Sequence, residues 1–149
     1  MISPEEALKE PTGLSRFRDA QRKDYEAALG EIRSGRKRTH WMWYVFPQIR
    51  GLGSSSMSEY YGIRDLAQAR EYLSDPYLGG NLREICRELL SLDTDDAGVI
   101  FGYPDELKLR SSMTLFSLAS GGDPLFDAVL DRLYDGKKDM LTLKLLDMA

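Results

Sequence analysis

Apolar residues recur along this chain at steps of three and four, the spacing of a single buried helical face. Leu14, Phe17, Tyr25, Ala28 and Ile32 form the clearest stripe, with Gln21 in register. Arginines and acids cover the other side, so a helix is expected over residues 14–34, with Gly35 as the glycine that ends it. Leu82, Ile85, Cys86 and Leu89 share a second face, in a helix expected from residue 78 or 81 to residue 90. Phe126, Val129, Leu130 and Leu133 share a third, after Asp123-Pro124. Residues 104–119 differ, because Leu107, Thr114, Leu115 and Leu118 mark one apolar direction and Leu109, Met113 and Phe116 another. A helix apolar on two sides is buried between neighbours. Ser111 and Ser112 are small enough to let those neighbours approach, which makes this the expected central helix.

Capping residues divide the remainder. Ser3-Pro4-Glu5-Glu6 has the form of a capping box and opens a short helix stopped by Pro11 and Gly13. Ser56 with Glu59 repeats the box; Asp65 caps a helix over residues 66–73 that Pro76 closes off. Pro104 takes the first position of the central helix, and Asp139 caps a last amphipathic stretch to residue 146. Residues 97–101 form a brief apolar segment between acids and Gly102. Residues 39–46 are ambiguous, since Trp, Tyr, Val and Phe favour a strand while the polar alternation of one is missing. A short helix capped by Thr39 and ended by Pro47 is preferred, because an isolated strand leaves its backbone groups unpaired. There is no alternating strand pair, repeat or low-complexity linker. The expectation is a capping segment at residues 1–13 and one all-α domain at residues 14–149, a bundle of about seven or eight short helices.

Composition narrows the function classes. A chain of 149 residues, 42% hydrophobic and 30% charged, can bury one core without disulfide or metal staples. Its net charge of -4 excludes general nucleic-acid binding, which needs broad positive surface. The charge is uneven. Arg16, Arg18, Arg22, Lys23, Arg33, Arg36, Lys37, Arg38 and Arg50 face only Asp19, Asp24, Glu26 and Glu31 across residues 16–50, so a local anion site fits there. The one cysteine, Cys86, rules out an internal disulfide and any multi-cysteine metal site, and its apolar face makes it a small core residue. No metal or cofactor is expected. Nor is a membrane partner, for want of a bilayer-length apolar run or a signal-peptide core; the expected location is the cytoplasm. The oligomeric state is left open.

Residues 39–56 hold both tryptophans, the only histidine and a Gly/Ser-rich turn. His40 is the one candidate acid/base, although Lys37 and Arg38 beside it disfavour the imidazolium. Trp41 and Trp43 are candidates for stacking on a flat ligand, against the plain alternative of core packing. The turn Arg50-Gly51-Leu52-Gly53-Ser54-Ser55-Ser56 offers Gly53, Ser54 and the Arg50 charge to an anion, with Gln48 adjacent; a plain turn and cap is the other reading. It matches neither a P-loop nor a dinucleotide fingerprint. Lys108, Arg110 and Ser111 lie in the first turns of the central helix, where positive charge opposes the macrodipole. An acidic partner, with Asp105 and Glu106 the nearest, or a bound anion would compensate them. No nucleophile has an identifiable partner set.

Two motifs carry a family resemblance. Thr39-His40-Trp41-Met42-Trp43-Tyr44-Val45-Phe46-Pro47-Gln48 followed by Gly51-Leu52-Gly53, and Pro104-Asp105-Glu106-Leu107-Lys108-Leu109-Arg110-Ser111-Ser112-Met113-Thr114-Leu115-Phe116, resemble the bacterial domain-of-unknown-function family 1810, some of whose members carry the legacy label calpastatin. The resemblance runs from about residue 14 to residue 146, and the Leu-Thr-Leu-Lys-Leu-Leu ending agrees with it. It implies a single helical domain with a globin-like helix arrangement and no haem, and it brings no catalytic residues. The leading expectation is a domain binding a small anionic ligand, phosphate-bearing or nucleotide-like, with or without catalysis. A protein-interaction module without chemistry and an N-glycosidase or hydrolase on ADP-ribose-like compounds are the alternatives. The first requires the two motifs to meet at one concave site, and the third requires a carboxylate of raised pKa beside it.

Overall fold

A computed structural model describes residues 13–147, and among these residues the secondary structure is nine helices and one isolated parallel bridge, Ile49 to Ile63. The fold is a single all-α domain. The capping box expected at Ser3 and Glu6 lies outside the described residues.

Helix α1 (Ser15–Arg33) buries Phe17, Tyr25, Ala28, Leu29 and Ile32, the stripe its periodicity requires. Gln21 sits in that stripe because its amide is fully used: Nε2 donates to the Tyr44 carbonyl at 2.7 Å and the Tyr72 hydroxyl at 2.8 Å, and Oε1 accepts from Asn81 Nδ2 at 3.0 Å. A Schellman turn ends α1, with Gly35 at φ 89° and the amides of Gly35 and Arg36 donating to the Ile32 and Glu31 carbonyls.

Helix α2 (Met42–Val45) is one turn, so the helical preference for this segment holds, but Thr39 does not cap it. Trp41 is its N-cap residue and offers no side-chain bond, while the Thr39 hydroxyl donates to Glu31 Oε2 at 2.6 Å. Helix α3 (Ser56–Tyr60) starts from Ser55, whose Oγ accepts from the Ser58 amide, so the expected Ser56–Glu59 box is displaced by one residue. Helix α4 (Leu66–Ser74) is capped by Asp65 as expected.

Pro76 corrects the sequence expectation. It does not merely close α4; it is the first residue of α5 (Pro76–Ser91), and Asp75 alone joins the two helices. Asp75 accepts from the Tyr77 and Leu78 amides and from Arg18 Nε at 2.9 Å, so one carboxylate caps α5 and ties it to α1. Residues 97–101 form a further short helix, α6 (Ala97–Phe101), capped by Asp96. Helix α7 (Asp105–Ala119) is central and most of its residues are buried. Pro104 precedes it as the N-cap residue, after a cis Tyr103–Pro104 bond, rather than filling the first helical position. Helices α8 (Pro124–Tyr134) and α9 (Met140–Leu145) follow, capped by Asp123 and Asp139. Helices α2 and α3 fall on segments expected to be helical, and α6 is the helix added where the sequence showed only a brief apolar segment.

Helix α7 packs on α4, α6, α8 and α9, while α5 packs on α1, α4 and α8 and α1 also holds α2. Phe17, Trp41, Phe46, Tyr72, Phe116 and Phe126 fill the interior, with Phe17 edge-on to Tyr72 at 5.4 Å and Phe46 edge-on to Phe101 at 5.9 Å. Cys86 is fully buried among them.

Candidate functional site

The loop from α2 to α3 is pinned by two backbone bonds, Arg50 amide to Ile63 carbonyl and Ile63 amide to Gln48 carbonyl, each 2.8 Å. That clasp holds the loop and α3 opposite the N-terminal half of α7, and between them lies a cavity of about 530 Å3. Trp43, Gln48 and Gly53 reach it from the first motif, with Ser54 just after it, and Lys108, Arg110 and Ser111 from the second. The two motifs therefore share one concave surface.

Three expected residues are not in its lining. Trp41 is 1% exposed, and its indole donates to Glu31 Oε1 at 3.1 Å at the edge of the core. It is a core residue, and no ligand ring can stack on it. His40 is exposed away from the cavity, and its carbonyl lies 3.1 Å from the Tyr44 hydroxyl. Arg50 follows the clasp rather than the cavity; its Nε is buried and has no hydrogen-bond partner among the described residues. The expected cradle at residues 50–56 thus contributes its glycine and serine but not its charge.

The cations of the site are held in different ways. Asp105 Oδ2 pairs with Lys37 Nζ at 2.8 Å and Oδ1 with Lys108 Nζ at 3.1 Å. Burial would raise the Asp105 carboxyl, but hydrogen bonds from Lys37 and Lys108, and their charges, outweigh it and hold the group below the usual carboxylate range. Lys37 also lies 5.1 Å from the centre of the Trp41 ring, and Lys108 lies 4.5 Å from that of Trp43. Of the two compensations open to this positive charge, Asp105 supplies the acidic partner for Lys108, and both tryptophans are tied to the start of α7 through it. Arg110 donates from Nε to the Lys137 carbonyl at 2.7 Å and from Nη2 to the Lys138 carbonyl at 2.9 Å, which clamps the α8–α9 connection. Among the described residues no carboxylate comes within ion-pair distance of Arg110.

Ser111 Oγ lies within hydrogen-bond distance of the Leu107 carbonyl and of Asp139 Oδ2. The same Asp139 oxygen accepts from the Thr142 amide and hydroxyl, so this end of the cavity is occupied by internal bonds. The Gln48 amide and the Ser54 hydroxyl, by contrast, make no side-chain hydrogen bond among the described residues and remain available at the wall. Leu52, Tyr61, Pro104, Leu107 and Leu141 complete much of the wall, and none is among the binding candidates the sequence offers. Asp139 and Leu141 were legible only as a cap and an amphipathic turn, and their signal is tertiary. Glu31 was also missed: on sequence it is one acid on a solvated helix face. Among the described residues no group of three His, Cys, Asp or Glu side chains could hold a metal ion, and no helix is long and apolar enough to cross a membrane.

Comparison with known proteins agrees with this fold. The crystal structure of the conserved hypothetical protein Rv1873 from Mycobacterium tuberculosis is similar at a TM-score of 0.90 and 44% sequence identity, over 94% of this chain and 100% of that one. A search of curated proteins gives no match. The family described as "Protein of unknown function (DUF1810)" matches residues 11–146. The chain belongs to that family, whose function is unknown.

Proposed function

We propose that this chain is a small-molecule-binding domain for an anionic ligand, and that the ligand occupies the cavity between the α2–α3 loop and α7. The observation that carries this is the meeting of two motifs distant in sequence at one cavity. There Lys108 and Arg110 share the lining with the Gln48 amide and Ser54 hydroxyl, which make no side-chain hydrogen bond among the described residues. A volume of about 530 Å3 lies inside the usual range of small-molecule sites, roughly 300–1,000 Å3. A cytoplasmic location belongs to the same reading, and the buried free thiol of Cys86 fits a reducing compartment.

A thermal-shift screen with acetate, benzoate, inorganic phosphate, AMP and ADP-ribose tests it. A ligand at a hundred times its Kd stabilises the fold by about 2.7 kcal/mol, a readily measured rise in Tm. Lys108→Met should remove most of that rise. Flat responses to every anion overturn the proposal. Glycosidase or hydrolase chemistry finds less support, because it calls for a carboxylate held protonated. Asp105, bonded to Lys108 of the cavity wall, is pushed the other way by its hydrogen-bond donors, against the effect of burial.

One observation favours a second reading. Tyr103 is 83% exposed beside Pro104 of the cavity wall, and Met140, Leu141 and Leu145 are also exposed on α9. An apolar rim of this kind suits a protein contact without chemistry. Light scattering at increasing concentration would reveal self-association, and a strict monomer that binds anions would exclude that form of the contact.

A further inference from the structure

The cavity's own charge and surface narrow its ligand. We infer, resting on the anion-binding reading above, that it takes a small organic monoanion with an apolar body, an aliphatic or aromatic carboxylate, rather than a nucleotide or polyphosphate.

Charge is the first reason. Lys108, Arg110 and Asp139 are the charged side chains of the lining, so two cations and one carboxylate leave a single positive charge. Lys108 is further neutralised by Asp105, which it shares with Lys37. A di- or triphosphate would bring several negative charges to a wall able to balance one, and each excess charge would lie unpaired in a partly desolvated site.

Stacking is the second. A nucleobase would need an open aromatic face, and the Trp43 face turned to α7 already carries the Lys108 ammonium at 4.5 Å. Trp41 is inside the core. A base could displace Lys108 only by giving up both the cation–π contact and the Asp105 pair.

The apolar surface is the third. Leu52, Pro104, Leu107 and Leu141 share the lining with those polar groups, and Leu107 and Leu141, 49% and 60% exposed, mark its mouth. A hydrocarbon body crossing the mouth would cover both leucines, while the carboxylate reached Lys108 and Gln48. Apolar burial then supplies affinity and the single charge supplies orientation.

The test is isothermal titration with benzoate and octanoate, their uncharged counterparts benzyl alcohol and 1-octanol, inorganic phosphate and ADP. It uses the full chain and two variants, Leu141→Glu at the mouth and Val99→Glu on an exposed position of α6 outside the cavity lining. Benzoate or octanoate should bind saturably, and the alcohols and phosphates should bind far more weakly. Leu141→Glu should weaken the carboxylate by about tenfold or more, since it removes an apolar contact and adds a like charge. Val99→Glu should leave it unchanged. Tighter binding of ADP or phosphate than of either carboxylate, or an unchanged affinity in Leu141→Glu, overturns the monoanion assignment and leaves the anion site standing. Equal binding of the alcohols, or silence from every probe, overturns both.

Discussion

The carboxylate of Glu31 accepts from the Arg38 amide at 2.6 Å, the Thr39 amide at 2.9 Å, the Thr39 hydroxyl at 2.6 Å and the Trp41 indole at 3.1 Å. Through these bonds the end of α1 holds the chain that leads into α2. Burial raises the Glu31 carboxyl, but the donors more than offset it and bring it from an ordinary 4.5 down to about 2. Because the folded value is the lower one, the group contributes stability above about pH 4.5 and loses it as the pH falls toward 2. Thermal unfolding followed by circular dichroism should show Tm declining through that window. Asp75 and Asp105 add in the same direction. Glu31→Gln should flatten part of the decline; an unaltered profile would show that the bonds are not linked to folding. Glu31→Ala removes all four of these bonds, the Trp41 indole's among them, and should cost about 1–3 kcal/mol.

The α4–α5 corner illustrates what an element needs from a single position. Asp75 ends one helix and caps the next, so the chain turns within one residue and α5 starts against the last turn of α4. Gly79 is where the two backbones meet: a Cβ there would lie 2.1 Å from the Leu73 carbonyl oxygen. Arg83 Nη1 donates to the same oxygen at 3.1 Å, which leaves that carbonyl little freedom to retreat. Gly79→Ala should therefore separate the helices and lower stability by roughly 1–3 kcal/mol or more, despite the better helix propensity of alanine. Urea denaturation should show a reduced midpoint with an unchanged slope. A midpoint equal to the parent's would mean that the corner relaxes freely. Read from sequence, Pro76 is a helix breaker; only the corner shows that it opens α5 as well.

At the scale of the molecule, Cys86 reports on the whole core. It is fully buried on α5 with its Sγ 3.7 Å from Met113 Sδ on α7, and burial pushes its thiol well above the ordinary range. A thiol reagent should modify it only through global unfolding, so the labelling rate should follow denaturant in step with the loss of helical signal. Rapid labelling of the native protein would reveal a local opening between α5 and α7. The long helices were legible in the sequence because a 3.6-residue period is local, and because Asp65, Asp123 and Asp139 cap within a turn of where they stand. Cys86 and the central position of α7 followed from the same periodicity. Trp41 and Trp43 did not separate, since two residues apart in one short segment they have the same local chemistry. Only the packing of α2 decided that Trp41 is buried with its indole on Glu31, while Trp43 lines the cavity under Lys108. Arg50 likewise had the right charge in the right turn, and the clasp to Ile63 carried it elsewhere. Capping and helical period depend on neighbours in the chain and can be read from them. A cavity depends on which side chains distant segments turn toward one another, and that is settled only when the helices pack.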